Sequence, residues 1–91
     1  METIYKGSGW NATVNFESDK TSVEAILYNR ATKQSASLNV SGSGTTYSIA
    51  ISGVETAKLG VGIYDLELYA TGSIVDVKNN FAKVVETSKS N

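Results

Sequence analysis

The chain contains no cysteine, no histidine and no proline. Without cysteine there is no disulfide framework and no thiolate metal site. Without histidine the commonest general base and the commonest metal ligand are missing. Without proline there is no cis-proline turn and no polyproline segment. An excess of one charge is lacking too: eight basic and nine acidic residues leave a formal net charge of −1, and no two basic residues are adjacent. Phosphate recognition needs clustered Lys and Arg, so nucleic acid is not an expected partner. No apolar run of signal-peptide or membrane-spanning length follows Met1, so neither ordinary export nor a membrane partner is expected.

What is present is a chain of 91 residues in which Gly, Ser and Thr punctuate short alternating runs. That length makes one domain, and a domain of this size buries only about 60–65% of the surface its unfolded chain exposes. Apart from a single turn at Val54 to Leu59, no window sustains a helical period. Strands are expected at Thr3–Lys6, Gly9–Glu17, Ser22–Asn29, Ser35–Val40, Thr45–Ser52, Gly62–Ala70 and from Ser73 to about Glu86, the spacing of an all-β protein. The second is the cleanest, with Trp10, Ala12, Val14 and Phe16 alternating with polar residues. The last loses phase near Lys78-Asn79-Asn80, where a bulge is expected. Ser41-Gly42-Ser43-Gly44 reads as a loop between the fourth and fifth strands. Residues 1–86 form the domain, and Thr87 to Asn91 form a polar tail.

The segment SGVETAKLGVGIYDLELYA, residues 52 to 70, indicates the architecture. Ser52 and Glu55 have capping-box spacing, so each side chain can satisfy a backbone N–H of the helical turn. Gly60 is expected to close that turn in the left-handed conformation. Tyr64, Leu66, Leu68 and Ala70 then alternate with Asp65 and Glu67 on the opposite face. A Gly and then a Tyr two residues later, where the chain passes from one sheet to the other, is the tyrosine corner of immunoglobulin-like sandwiches. The expected fold is therefore an all-β, immunoglobulin-like antiparallel β-sandwich of about seven strands with one short helical turn. Its core is expected to centre on Trp10, Phe16, Leu27, Leu38, Ile49, Leu59, Tyr64, Leu66 and Leu68.

Candidate chemistry is sparse. Asp65 and Glu67 would lie roughly 7 Å apart on one strand face, a spacing that suits acid/base pairs, but on an open face nothing would split their pKa values. Glu17, Ser18 and Asp19 are too few oxygens for calcium, which takes six to eight oxygen ligands. Ser and Thr are abundant, yet a nucleophile needs a base and an orienting group. Asn11-Ala12-Thr13 and Asn39-Val40-Ser41 match the glycosylation pattern, which matters only for an exported chain. Gly60-Val61-Gly62 follows a helical turn and precedes a strand, the reverse of a dinucleotide fingerprint. No catalytic, cofactor-binding or metal-binding residue is assigned, and no enzymatic activity is expected. The candidate contact residues are Tyr5, Ile26, Tyr28, Ile63 and Tyr69, apolar or aromatic side chains expected on outer sheet faces among polar neighbours. An unpaired sheet edge is a second candidate for contact.

Three segments carry a family resemblance: GWNATVNF at residues 9 to 16, SVEAILYN at 22 to 29, and ETAKLGVGIYDLEL at 55 to 68, with Phe81 to Val85 as the closing strand. The layout resembles small immunoglobulin-like structural domains of tailed-phage virions. It is similar to the N-terminal domain of phage baseplate upper proteins and to capsid auxiliary and decoration proteins. No fibre or receptor-binding region follows the sandwich, which favours a free-standing accessory protein over the anchor of a longer fibre. The resemblance implies a virion structural protein, made and assembled in the cytoplasm of a bacterial host, most simply a capsid-associated auxiliary or decoration protein. Its implied partners are other virion proteins (capsid, portal-proximal or tail), with a homo-oligomer as a further option. The alternatives are a tail or baseplate module, or a carbohydrate- or cell-surface-binding module. The resemblance carries no catalytic residues and no cofactor.

Overall fold

The computed structural model describes residues 1–86; the expected polar tail at 87–91 lies outside them. The strands are β1 (Glu2–Tyr5), β2 (Trp10–Asn15), β3 (Val23–Tyr28), β4 (Ser35–Ser37), β5 (Asn39–Ser43), β6 (Thr46–Ile51), β7 (Gly62–Ala70) and β8 (Ser73–Val85), with one helical turn, α1 (Gly53–Thr56), between β6 and β7. They form a five-stranded sheet in the order β1-β8-β7-β3-β4 and a three-stranded sheet in the order β2-β6-β5. The two pack face to face as a β-sandwich. In immunoglobulin terms β2, β6 and β5 stand where strands B, E and D stand, and β3, β7 and β8 where C, F and G stand, with β4 added beside C. The sequence expectation of an immunoglobulin-like sandwich with one helical turn holds.

Three details differ from that expectation. First, the five-stranded sheet is mixed, because β1 runs parallel to the end of β8, pairing Glu2 with Ala82 through Tyr5 with Val85. Second, the expected strand Ser35–Val40 is two strands. Its first part pairs with β3, Leu38 is buried where the chain crosses between the sheets, and its second part pairs with β6. A single alternating run spans both because Ala36, Leu38 and Val40 all face the interior, whichever sheet holds the backbone. Third, the expected Ser41–Gly44 loop is mostly strand, since Ser41, Gly42 and Ser43 pair with Ser48, Tyr47 and Thr46. Gly42 serves close backbone approach: a Cβ there would lie 2.5 Å from the Thr46 carbonyl oxygen, and its φ is +134°.

The core is continuous across the sandwich. Ile4, Ala25, Leu27, Leu66, Leu68, Ala82 and Val84 from one sheet meet Val14, Tyr47, Ile49 and Ile51 from the other, with Leu38, Leu59 and Tyr64 between them. Trp10 and Phe16, expected at the centre, are only half-buried and pack against the cluster from its rim. Trp10 meets the edge of Phe81 at 5.6 Å between ring centroids, and Phe16 meets Tyr47 at 5.8 Å. The cause is position: β2 is an outer strand of its sheet, so its side chains are covered from one side only.

The corner between β6 and β7 is built from polar contacts around a buried phenol. Ser52 caps α1, its Oγ accepting the Glu55 N–H at 3.3 Å. The reciprocal half of the expected capping box is replaced by an ion pair from Glu55 to Lys58 at 3.1 Å. Thr56 is fully buried; its Oγ1 accepts the Gly7 N–H at 3.0 Å and lies 2.9 Å from the Ser8 carbonyl, which fastens α1 to the β1–β2 connection. Gly60 is not among the residues with positive φ, contrary to expectation. A Cβ there would sit 3.1 Å from Gln34 Oε1, a tight contact with the end of a flexible side chain. That oxygen accepts the Gly60 N–H at 2.8 Å, while Gln34 Nε2 donates to the Lys58 carbonyl at 2.9 Å. The Tyr64 side chain is wholly buried, and its hydroxyl lies 2.8 Å from the Gly60 carbonyl and 3.0 Å from Gln34 Oε1. Burial pushes the phenol above its ordinary pKa, so it remains a neutral donor.

Replacing Tyr64 with Phe removes the donor and strands the Gly60 carbonyl in a partly buried corner. The expected loss is about 1–3 kcal/mol of stability with the fold retained. Urea denaturation with an unchanged m-value checks it.

Candidate protein-contact face

Strand parity places the candidate contact residues. Ile4, Ala25, Leu27, Tyr64, Leu66, Leu68 and Ala70 are buried toward the other sheet, so their neighbours Tyr5, Ile26, Tyr28, Ile63 and Tyr69 occupy the outer face of the five-stranded sheet. Pairing then fixes what lies beside them. Tyr69 stands between Glu24 and Ile74, and Ile26 and Val77 flank Glu67. Ile63 pairs with Lys83, and Tyr5 pairs with Val85. Tyr5 and Ile63 are exposed, at 50% and 38% of their full areas, whereas Ile26, Tyr28 and Tyr69 are half-buried.

The face is divided in two by a polar cluster. Asp65, expected on an open surface, is 4% exposed. Between the pairs Tyr64 with Ala82 and Leu66 with Lys78, this one residue of β7 faces Asn79, Asn80 and Phe81 of β8. This is the bulge expected near Lys78-Asn79-Asn80. Asn80 takes a left-handed φ of 53°, and its N–H donates to Asp65 Oδ1 at 2.9 Å. From the other side Arg30 folds over the carboxylate, with Nε 2.8 Å from Asp65 Oδ2 and Nη2 donating to Asn80 Oδ1 at 3.1 Å. Tyr28 pairs with Asp65, so Arg30, two residues further on, reaches the same face. Asn29 makes the turn that permits it, its Oδ1 accepting the N–H groups of Ala31 and Thr32 at 2.9 and 3.1 Å.

The five candidates therefore share a face but not one patch. Tyr5 and Ile63 lie at one end. Ile26 and Tyr69 lie at the other with Ile74 and Val77, and Tyr28 sits beside the cluster. Six strand steps separate Ile63 from Tyr69, roughly 20 Å. Beside Ile63 a shallow depression of about 510 Å³ is bounded by Arg30, Thr32, Val61 and Asn80. Ile74 and Val77, exposed at 52% and 42%, were not among the sequence candidates. Their signal was hidden by register shifts in β8, at the Asp65 bulge and again between Leu68 and Tyr69. Arg30 had no local signal at all.

Neither carboxylate of the Asp65–Glu67 pair is free for acid/base work. Asp65 is held by Arg30 and Asn80, and Glu67 accepts the Tyr69 hydroxyl at 3.0 Å. That hydrogen bond to Glu67 raises the Tyr69 pKa, because ionising the phenol would set two anions together. Among the described residues no three His, Cys, Asp or Glu side chains converge to hold a metal ion, and no helix is long and apolar enough to cross a membrane. No protein-family model and no curated protein sequence matches the chain.

The Arg30–Asp65 contact lends itself to a double-mutant cycle. Arg30→Ala leaves a buried carboxylate with one backbone donor. Because the Arg30 side chain is 60% exposed, solvent screens part of the loss. The expected cost is about 1–3 kcal/mol. Asp65→Asn in the Arg30→Ala background should recover part of it, giving a coupling of about 0.5 kcal/mol or more in denaturant titrations.

Proposed function

We propose that the protein is a structural protein of a tailed-phage virion, and within that class a capsid-associated auxiliary or decoration protein that acts through protein–protein contacts. The observation that carries this reading is the outer face of the five-stranded sheet. There Tyr5, Ile63, Ile26 and Tyr69 stand among polar residues on the side of the sheet turned away from the core. Aromatic and branched side chains on such a surface supply contact area at low entropic cost. The resemblance of residues 9–16, 22–29 and 55–68 to phage immunoglobulin-like domains supplies the class of partner. An adhesive domain of this kind needs no strong single contact, since many copies on a repeating shell bind with avidity.

Tyr5 and Ile63 are the best probes, because they are the most exposed of the five and truncating them leaves the core untouched. Tyr5→Ser and Ile63→Ser should each reduce the number of copies on purified particles, counted by quantitative mass spectrometry, while leaving the thermal midpoint nearly unchanged. Wild-type occupancy for both variants refutes this contact face. Absence of the wild-type protein from the particles refutes the virion reading. A copy number matching the shell lattice supports the capsid role, and a small ring-like number supports the tail or baseplate role instead.

A further inference from the structure

The longest strand is only half used. β8 runs from Ser73 to Val85, but β1 pairs with it only from Ala82 to Val85. Among the described residues nothing pairs with Ser73–Asn80 on the side away from β7. Every residue of that stretch is exposed, including Ile74, Val75 and Val77. An unpaired row of backbone N–H and C=O groups beside apolar side chains is a template for another strand. Natural edges are usually blunted by proline or by charge. Proline is absent here, the two register shifts of β8 leave Asp76–Lys78 regular between them, and the only charges are Asp76 and Lys78, each about half-exposed and 3.2 Å apart.

These two charges choose the incoming strand. Consider a second copy of the same edge, antiparallel and related by a two-fold axis normal to the sheet. Paired side chains must share a face, so the axis passes through a residue and not between two. Centred on Asp76 or on Lys78, the pairing sets like charges directly opposite one another, which is unfavourable. Centred on Val77, Asp76 faces Lys78 of the second copy, Lys78 faces its Asp76, and the two Val77 side chains meet. Val77 is also the midpoint of Asp76–Lys78, the regular part of the free stretch between the register shift at Val75 and the one at Asn79–Phe81, so the pairing stops short of the part that β1 occupies.

We propose that this edge is a self-association site: β8 of one copy pairs antiparallel with β8 of a second copy about Val77, joining the two five-stranded sheets into one. The charges that would repel an arbitrary strand select this register. The site uses the backbone edge of β8 and not the outer face itself, although Ile74 and Val77 border both, and it does not depend on the virion reading.

The test uses the charges in combination, with sedimentation equilibrium as the readout. The wild type should dimerise reversibly with rising concentration. Asp76→Lys sets four positive charges together, and Lys78→Asp sets four negative charges together. Each variant alone should associate about tenfold or more weaker than the wild type. An equimolar mixture of the two restores every opposite pairing, so it should form a heterodimer of near wild-type affinity. Recovery in the mixture also shows that both variants are folded. In a second measurement Val77→Cys, the sole cysteine of its chain, should oxidise readily to a disulfide-linked dimer, since directly paired strand residues lie within disulfide reach. A Thr13→Cys control on β2 should not. A monomeric wild type at millimolar concentration, single variants that associate like the wild type, or a mixture that stays monomeric would each overturn the proposal.

Discussion

A phenol carried into the space between two sheets must bring its hydroxyl to a partner, and this requirement at Tyr64 organises the crossing on which the sandwich depends. The ring fills the core, while the hydroxyl reaches the Gly60 carbonyl and Gln34 Oε1. Gln34, from the approach to β4, in turn holds the Gly60 N–H and the Lys58 carbonyl. One glutamine thus joins the start of β7 to the far edge of the same sheet. Thr56 performs the matching task on the other side, binding α1 to the segment between β1 and β2. With both ends of the crossing tied, β7 enters its sheet in the register that buries Leu66 and Leu68. A buried polar group left without a partner costs more than its hydrogen bond is worth, so these contacts act chiefly by excluding other arrangements.

The same logic shapes the surface. Asp65 lies on the outer face by parity, yet the β8 bulge and Arg30 close over it until almost none of it is exposed. The backbone conformation of Asn80, uncommon for a residue other than glycine, is compensated by its N–H bond to the carboxylate. The result is a rigid polar clasp across the middle of the sheet with an apolar area at either end. A partner that spans the whole face would have to accommodate the Arg30 guanidinium between two greasy contacts, whereas a small partner could use one end alone.

On the proposed reading, two kinds of adhesion coexist on one sheet. The outer face offers side chains, and the free half of β8 offers backbone. Side-chain contacts can be tuned residue by residue. Backbone pairing is indifferent to sequence until charge imposes a register, as Asp76 and Lys78 do. A small domain with a thin core, able to stabilise itself only modestly, would gain from such neighbours on both surfaces.

Much of this was legible in the residues alone. Apart from the run that became β4 and β5, alternation placed the strands to within a residue or two and named most of the interior, because period two is a local property that any half-buried strand must show. The Ser52 cap and the Tyr64 corner were likewise visible, being set by residues a few positions apart. Other features were not. The crossing at Leu38 keeps the same alternation in both sheets. The rim position of Trp10 follows from β2 being an outer strand, and the contact of Gly60 with Gln34 joins residues 26 positions apart. The burial of Asp65 depends on an arginine 35 positions earlier in the chain. Among the described residues the edge at Ser73–Asn80 is free because β1 is short and pairs with the far end of β8. Local sequence determines which side of a strand is greasy; which strands meet, in what register and under what cover, is decided by residues distant in the chain, and only the assembled structure brings those together.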